Sequence, residues 1–393
     1  MKKKSIVSKD EQEKLLQWPN FQQSTINEVA LELAKGEDAL YLHAKEFELK
    51  WNKYLNCKYS LSSNSGTASI HSALYGLNLD EDSEVLVPTY TYWASIVPMR
   101  YYNLVPVFCD VDRNTGILDL EDAQNRITNK TKAILIVHLW GMSANMDEVV
   151  RFAKDNGLKI IEDVAHAHGS TWNGKKLGTF GDVSIFSFQA SKLMPTIEGG
   201  MLCTNDKSIY ERALSLGHYL HIKSLPKNHN LEHLKDACLG NKFRINPISA
   251  LIGKLELPFL DKNNESFSQA IKGFHQKIEN INGISIPKSN ILNNRVYYAN
   301  FIHIDFKKIK MNREELINKL NNKGCIFGRT QYPLQHTLEV YRKDSYWKKT
   351  PVIKGKYLGA KELKDKEFSF PRFSLNSYEL MESYVSILMK VLK

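Results

Sequence analysis

The chain has 393 residues, 42% hydrophobic and 24% charged, with a formal net charge of +10. That length suits two domains, or one large domain with a smaller appendage, and the composition is ordinary for a soluble globular protein. The basic residues are spread along the chain, with no basic stripe interleaved with aromatics. This argues against nucleic acid as a partner and fits anionic small-molecule substrates better.

The opening MKKKSIVSKDEQEK has no apolar core after its lysines, the only tight basic run being Lys2-Lys3-Lys4. It does not read as a signal peptide, and residues 1–20 are taken as a short N-terminal arm. From about residue 57 to 215, short apolar runs alternate with amphipathic ones. The runs at 85–87, 105–108, 133–137, 158–161, 185–188 and 201–204 predict strands. The stretches at 67–77, 120–127, 146–156 and 206–217 predict helices, the last capped by Asp206 and finishing at Gly217. Continuous apolar strands between helices indicate an α/β domain over residues 21–264, with a mostly parallel sheet covered on both faces.

The segment 218–240 is polar, holds four histidines and lacks periodicity, so it is expected to be a long loop. Beyond it, helical spacing at 266–281, a strand at 297–306, a helix at 313–323 stopped by Gly324 and a helix from Tyr378 predict a smaller α+β domain over 265–393. No apolar run reaches the ~18 residues needed to span a bilayer. No membrane partner is therefore expected, and the cytoplasm is the expected location. Five widely spaced cysteines without a CxxC pair argue against a disulfide framework and a zinc site, so no metal is expected.

The most informative stretch is SIFSFQASKLMPTIEGG, residues 184–200. Its apolar strand delivers Lys192 to the place where α/β folds put reactive groups, outside the carboxyl ends of the strands. A partly desolvated amine there can form a Schiff base with an aldehyde, and pyridoxal phosphate (PLP) is the obvious one. That cofactor also needs a carboxylate for its ring nitrogen, a phosphate cradle and a stacking face. Asp163, at the end of the run 158–161, suits the first, although alone it fits a helix N-cap equally well. His166 lies three residues on and suits the ring face; an isolated histidine is more often structural. Gly66, Thr67 and Ala68 open a helix whose free N–H groups suit phosphate, with Ser187 adding a hydroxyl, though Ser-Gly-Thr also makes a plain N-cap. Tyr92, in Thr89-Tyr90-Thr91-Tyr92-Trp93, offers an aromatic face or an ordinary core ring.

With these residues in place the chain resembles the DegT/DnrJ/StrS-type sugar aminotransferases, within the fold type I PLP enzymes. The motifs are NSGTASIHSALYGLNL, EVLVPTYTYWAS, PVFCDVD, TKAILIVHLWG, IIEDVAHAHGS, GTFGDVSIFSFQASK and EGGMLCTND. The resemblance implies that Lys192 binds the cofactor and shuttles protons, and that Asp163 pairs with the ring nitrogen. It further implies that Tyr92 stacks on the ring, that His166 lies against it, and that Gly66, Thr67, Ala68 and Ser187 hold the phosphate. It also implies a homodimer in which a neighbouring subunit reaches the phosphate from a Gly-Tyr-Asn-x-Arg motif. Here that motif reads Gly240-Asn241-Lys242-Phe243-Arg244, with Lys242 at the usual asparagine, where it could still contact phosphate as a point charge.

Relatives that dehydrate sugars carry histidine in place of the lysine, so Lys192 favours transamination. Glutamate or glutamine would be the amino donor. A keto-sugar, nucleotide- or phosphate-linked, or a cyclitol ketone would be the acceptor. Phe188-Gln189 and the Lys-x-Arg ending at Arg244 resemble members acting on cyclitols. Residues 218–240 and 331–336 are expected to contact substrate. The alternatives are a lyase or desulfurase of the same fold, or a PLP-binding sensor without turnover.

Overall fold

The computed structural model describes residues 6–35, 42–288, 290–327 and 331–392. The Lys2-Lys3-Lys4 run and the first residues of the arm lie outside them. A seven-stranded sheet organises the chain. Its strands are β1 (Tyr59–Ser63), β2 (Glu84–Pro88), β3 (Val105–Cys109), β4 (Thr131–Val137), β5 (Lys159–Asp163), β6 (Val183–Ser187) and β7 (Gly200–Thr204). Their spatial order is β1-β7-β6-β5-β4-β2-β3. All run parallel except β7, which is antiparallel to both its neighbours. Side chains on both faces are buried, as in β3 and β6, where all five residues are. This explains why these strands read as unbroken apolar runs rather than alternating ones. Pairing sets Val137 beside Asp163 and Asp163 beside Ile185, so β4 and β5 finish level and β6 runs two residues further, to Ser187.

The helices pack on this sheet much as their spacing predicts. Gly66–Leu77 is capped by Ser65, whose Oγ accepts the Ala68 N–H at 3.1 Å, and it ends on Asn78 in the left-handed region. Lys207–Gly217 starts after Asp206, whose carboxylate accepts the Ser208 N–H at 2.7 Å. The helix expected over 120–127 is shorter, Leu120–Gln124. The expected loop 218–240 is a correction. It contains the helix Tyr219–Lys223 and a helical turn Glu232–Leu234. It then returns to helix Lys207–Gly217: the N–H groups of Leu239, Asn241 and Phe243 donate to the carbonyls of Ser215, Leu216 and Gly217 at 3.0, 3.2 and 3.2 Å. These carbonyls are the ones a helix end leaves unsatisfied.

Helix Leu260–Ile278 runs through residue 264 and serves two cores. Phe267 and Ile271 belong to the core of the large sheet, together with Leu334, Tyr341, Tyr357 and Leu363 from far along the chain. Phe274 and Ile278 belong to a second core with Ile302, Phe370, Phe373 and Tyr384. That core is covered by a three-stranded antiparallel sheet centred on Asn300–Ile304 and by helices Arg313–Asn321 and Tyr378–Val391. Among the described residues, no helix is long and apolar enough to cross a membrane.

Candidate active site

A cavity of about 500 Å³ opens at the carboxyl ends of β5 and β6. Gly66, Thr67, Tyr92, Asp163, His166, Ser187 and Lys192 all line it. Residues separated by more than a hundred positions thus meet in one volume. Ala68 does not line it, because its N–H is taken by the Ser65 cap and its side chain is buried. Lys242 does not line it either; it is exposed, and its carbonyl accepts the Asn64 side-chain amide at 3.2 Å. No residue of 218–240 is among the lining, but Tyr332 from the 331–336 segment is.

Lys192 is presented by a closed excursion between β6 and β7. The Phe188 N–H donates to Gly199 at 2.8 Å, Thr196 to Phe188 at 2.7 Å and Ala190 to Ile197 at 2.8 Å. At the turn, the Lys192 N–H donates to the Gln189 carbonyl at 2.8 Å. The Nζ stands 4.7 Å from the centre of the Tyr298 ring. Below the strand ends, His168 is fully buried among Trp51, Phe186 and Phe188. Burial, and then the charge of Lys192, push it down to about 3, so it stays neutral.

Asp163 closes the other end of the cavity. Its Oδ2 accepts the Ser95 hydroxyl at 2.6 Å and its Oδ1 accepts the Ala165 N–H at 3.0 Å. Burial raises its carboxyl above the ordinary range despite these bonds and the opposing charges of Lys192 and His138. The start of helix Gly66–Leu77 abuts Ser187 closely: a Cβ added at Gly66 would lie 2.7 Å from Ser187 Cβ. His166 stacks on Tyr298, 4.0 Å and 11° away, with Trp140 parallel to both at 5.2 Å from His166 and 6.1 Å from Tyr298. The Tyr332 hydroxyl lies 3.3 Å from its Nε2. Tyr92 tilts against Tyr332 at 5.5 Å and keeps 44% of its surface exposed, so much of its ring remains available to a ligand.

Residues 20–374 match the model of the DegT/DnrJ/EryC1/StrS aminotransferase family. The chain belongs to this family. It is therefore an enzyme, and its cofactor is PLP. It is 35% identical to the GDP-perosamine synthase of Escherichia coli O157:H7 over 310 residues, covering 79% of this chain and 81% of that one. It is 28% identical to a putative L-glutamine:3-amino-2,3-dideoxy-scyllo-inosose aminotransferase of Micromonospora echinospora over 303 residues, 76% of this chain and 71% of that one. Its fold matches the crystal structure of an aminotransferase from Psychrobacter cryohalolentis with a TM-score of 0.82 at 24% identity, over 95% of this chain and 98% of that one.

The cavity fits the cofactor on its own chemistry. The missing Cβ of Gly66 lets a helix start and a serine hydroxyl share one anion-sized corner, while a buried carboxylate waits at another. An amine stands over an aromatic face, 4.7 Å from the centre of the Tyr298 ring. Sequence reasoning missed Ser95, Trp140 and Tyr298. Ser95 had a signal in principle, a hydroxyl closing the strand-end run YTYWAS. Tyr298 had none, because it sits among residues that read as the start of a distant strand.

Proposed function

We propose that this enzyme moves an amino group from glutamate or glutamine to a ketone on a nucleotide- or phosphate-linked sugar, or on a cyclitol. It would act as a cytoplasmic homodimer in amino-sugar biosynthesis. The observation that carries this reading is the meeting of the Lys192 amine and the buried Asp163 carboxylate in one cavity with the helix start at Gly66. The names of the relatives, a perosamine synthase and an inosose aminotransferase, support the two acceptor classes.

PLP, when bound, supplies an aldehyde that takes up amines and a ring that accepts electrons. The rest is done by the chain. Gly66, Thr67 and Ser187 hold the phosphate through N–H and hydroxyl donors. The Asp163 carboxylate keeps the ring nitrogen protonated, with Ser95 holding that carboxylate in place. His166, backed by Trp140 and Tyr298, gives one flat surface for the ring, and Tyr92 offers another. With the group bound, Lys192 Nζ would take up and hand back the proton of the substrate carbon, a general-base role of roughly 10²–10⁴-fold in rate. Tyr332 is placed to contact the acceptor. Lys242, exposed on its own subunit, is the group that would reach the phosphate of a neighbouring one.

The test uses purified holoenzyme and its visible absorbance. Glutamate or glutamine should bleach the band, and one member of a panel of keto-sugar nucleotides, keto-sugar phosphates and inososes should restore it. Lys192→Ala should abolish turnover. Full turnover by that variant, or a band indifferent to every amino donor, would overturn the proposal.

A further inference from the structure

The N-terminal arm reaches the catalytic lysine from behind. The Trp18 indole N–H donates to the main-chain carbonyl of Lys192 at 2.7 Å. With the N–H of Lys192 donating to Gln189, both main-chain groups of the lysine are engaged. Trp18 is not in the cofactor cavity. It lines a neighbouring one of about 830 Å³, and the two cavities share Ser191 and Tyr298 as a partition. The indole is itself held, edge-on to Phe267 at 5.2 Å and 4.8 Å from the Arg372 guanidinium. That guanidinium also lies 4.4 Å from the Phe267 ring.

The arm is fastened at its other end to the C-terminal unit. Gln12 is buried, its amide donates to the Gly324 carbonyl at 2.8 Å, and its Oε1 accepts the Tyr384 hydroxyl at 2.8 Å. The Gln22 N–H donates to Glu256 at 3.2 Å. A flexible lysine side chain needs a fixed root if its amine is to return to the same point after each proton transfer. We propose that Trp18 is a positioning residue that supplies this root by anchoring the backbone of Lys192 to the arm.

This inference rests on the PLP reading of the site, and its test separates the two. Trp18→Phe keeps a ring against Arg372 and Phe267 but removes the donor. In the holoenzyme it should shift the pH midpoint of the lysine-bound cofactor's absorbance band. It should also slow the amino-donor half-reaction roughly three- to tenfold, the worth of one hydrogen bond, with half-saturation by donor changed less than about twofold. Phe267→Leu loosens the same packing but leaves the donor, so it should lower the melting temperature without moving the pH midpoint. An unchanged midpoint and rate in Trp18→Phe, or the same changes in Phe267→Leu, would overturn the role of Trp18. The midpoint needs no amino donor. A wild type that ignores donors would therefore sink the transaminase reading while the midpoint still decides for or against Trp18.

Discussion

Replacing Ser95 by alanine tests the electrostatic design of the site most directly. The Ser95 hydroxyl donates at 2.6 Å to a carboxylate that burial already pushes towards its neutral form. A hydrogen bond to a charged group is worth about 1.5–3 kcal/mol. Its loss should raise the Asp163 carboxyl further. A carboxyl that ionises less readily holds a protonated ring nitrogen less well. Where Asp163 of the free enzyme is protonated and must ionise to pair with the ring nitrogen, cofactor affinity should therefore fall by up to roughly 10–100-fold. The assay strips the cofactor, returns it in steps and follows absorbance and tryptophan fluorescence, with Ser95→Thr as the variant that restores a hydroxyl. The deficit should shrink as pH rises, because Asp163 of the free enzyme is then already ionised in wild type and variant alike. Ser95→Ala binding within about twofold of wild type across the whole pH range would refute the reasoning.

Gly66→Ala would place a methyl 2.7 Å from Ser187 Cβ and 3.1 Å from its Oγ. Helix start and strand end must separate, costing about 1–3 kcal/mol of stability and at least ~10-fold in cofactor affinity. Equal melting temperature and affinity would contradict it. Glu367→Gln probes a carboxyl buried beside Tyr90, which burial pushes up to about 7 despite the Tyr90 hydrogen bond. A folded-state value above the unfolded one means stability present below the unfolded pKa and lost as pH rises through the folded one. The window runs from about 4.5 to about 7, with at most ~3 kcal/mol at stake. The variant should melt with wild type near pH 5 and above it near pH 8; a difference independent of pH would exclude this origin.

What could be read in advance followed from local causes. Strands buried on both faces must be apolar throughout, which made β2 to β7 legible within two or three residues. Asp163, Ser187 and Lys192 lie at or just beyond strand ends, a position with its own chemical meaning. The illegible part was made by contacts between distant segments. Tyr298 enters the cavity from the C-terminal third of the chain, where no neighbouring residue signals a site, whereas Tyr332 lies in the 331–336 segment expected to contact substrate. The segment 218–240 lacks side-chain periodicity because short helical turns order it and the chain at its end and just beyond, Leu239 to Phe243, returns N–H groups to the last carbonyls of helix Lys207–Gly217. Helix Leu260–Ile278 begins earlier than its apolar spacing suggests because polar residues anchor its first turns. Asn264 is buried there and donates to the His168 carbonyl at 2.8 Å.

The adjacent carboxylates Glu162 and Asp163 show how one strand divides structural from chemical work. Both are buried at the end of β5, and alternation sends them to opposite faces of the sheet. Glu162 accepts the N–H groups of Gly178, Phe180 and Gly181 at 2.8, 2.7 and 2.7 Å, with the His138 Nε2 at 3.3 Å. Burial would raise it, but these partners hold it below the ordinary value. It is electrically complete, and it fixes the turn that launches β6 towards Lys192. Asp163 receives one hydroxyl and one amide, and its carboxyl remains raised. The difference between the two is the number of hydrogen-bond partners: three N–H groups and the His138 ring at Glu162, one hydroxyl and one N–H at Asp163. A protonated ring nitrogen is the group that would make the second carboxylate as complete as the first, so cofactor binding should draw Asp163 down towards the ionised state that Glu162 already has.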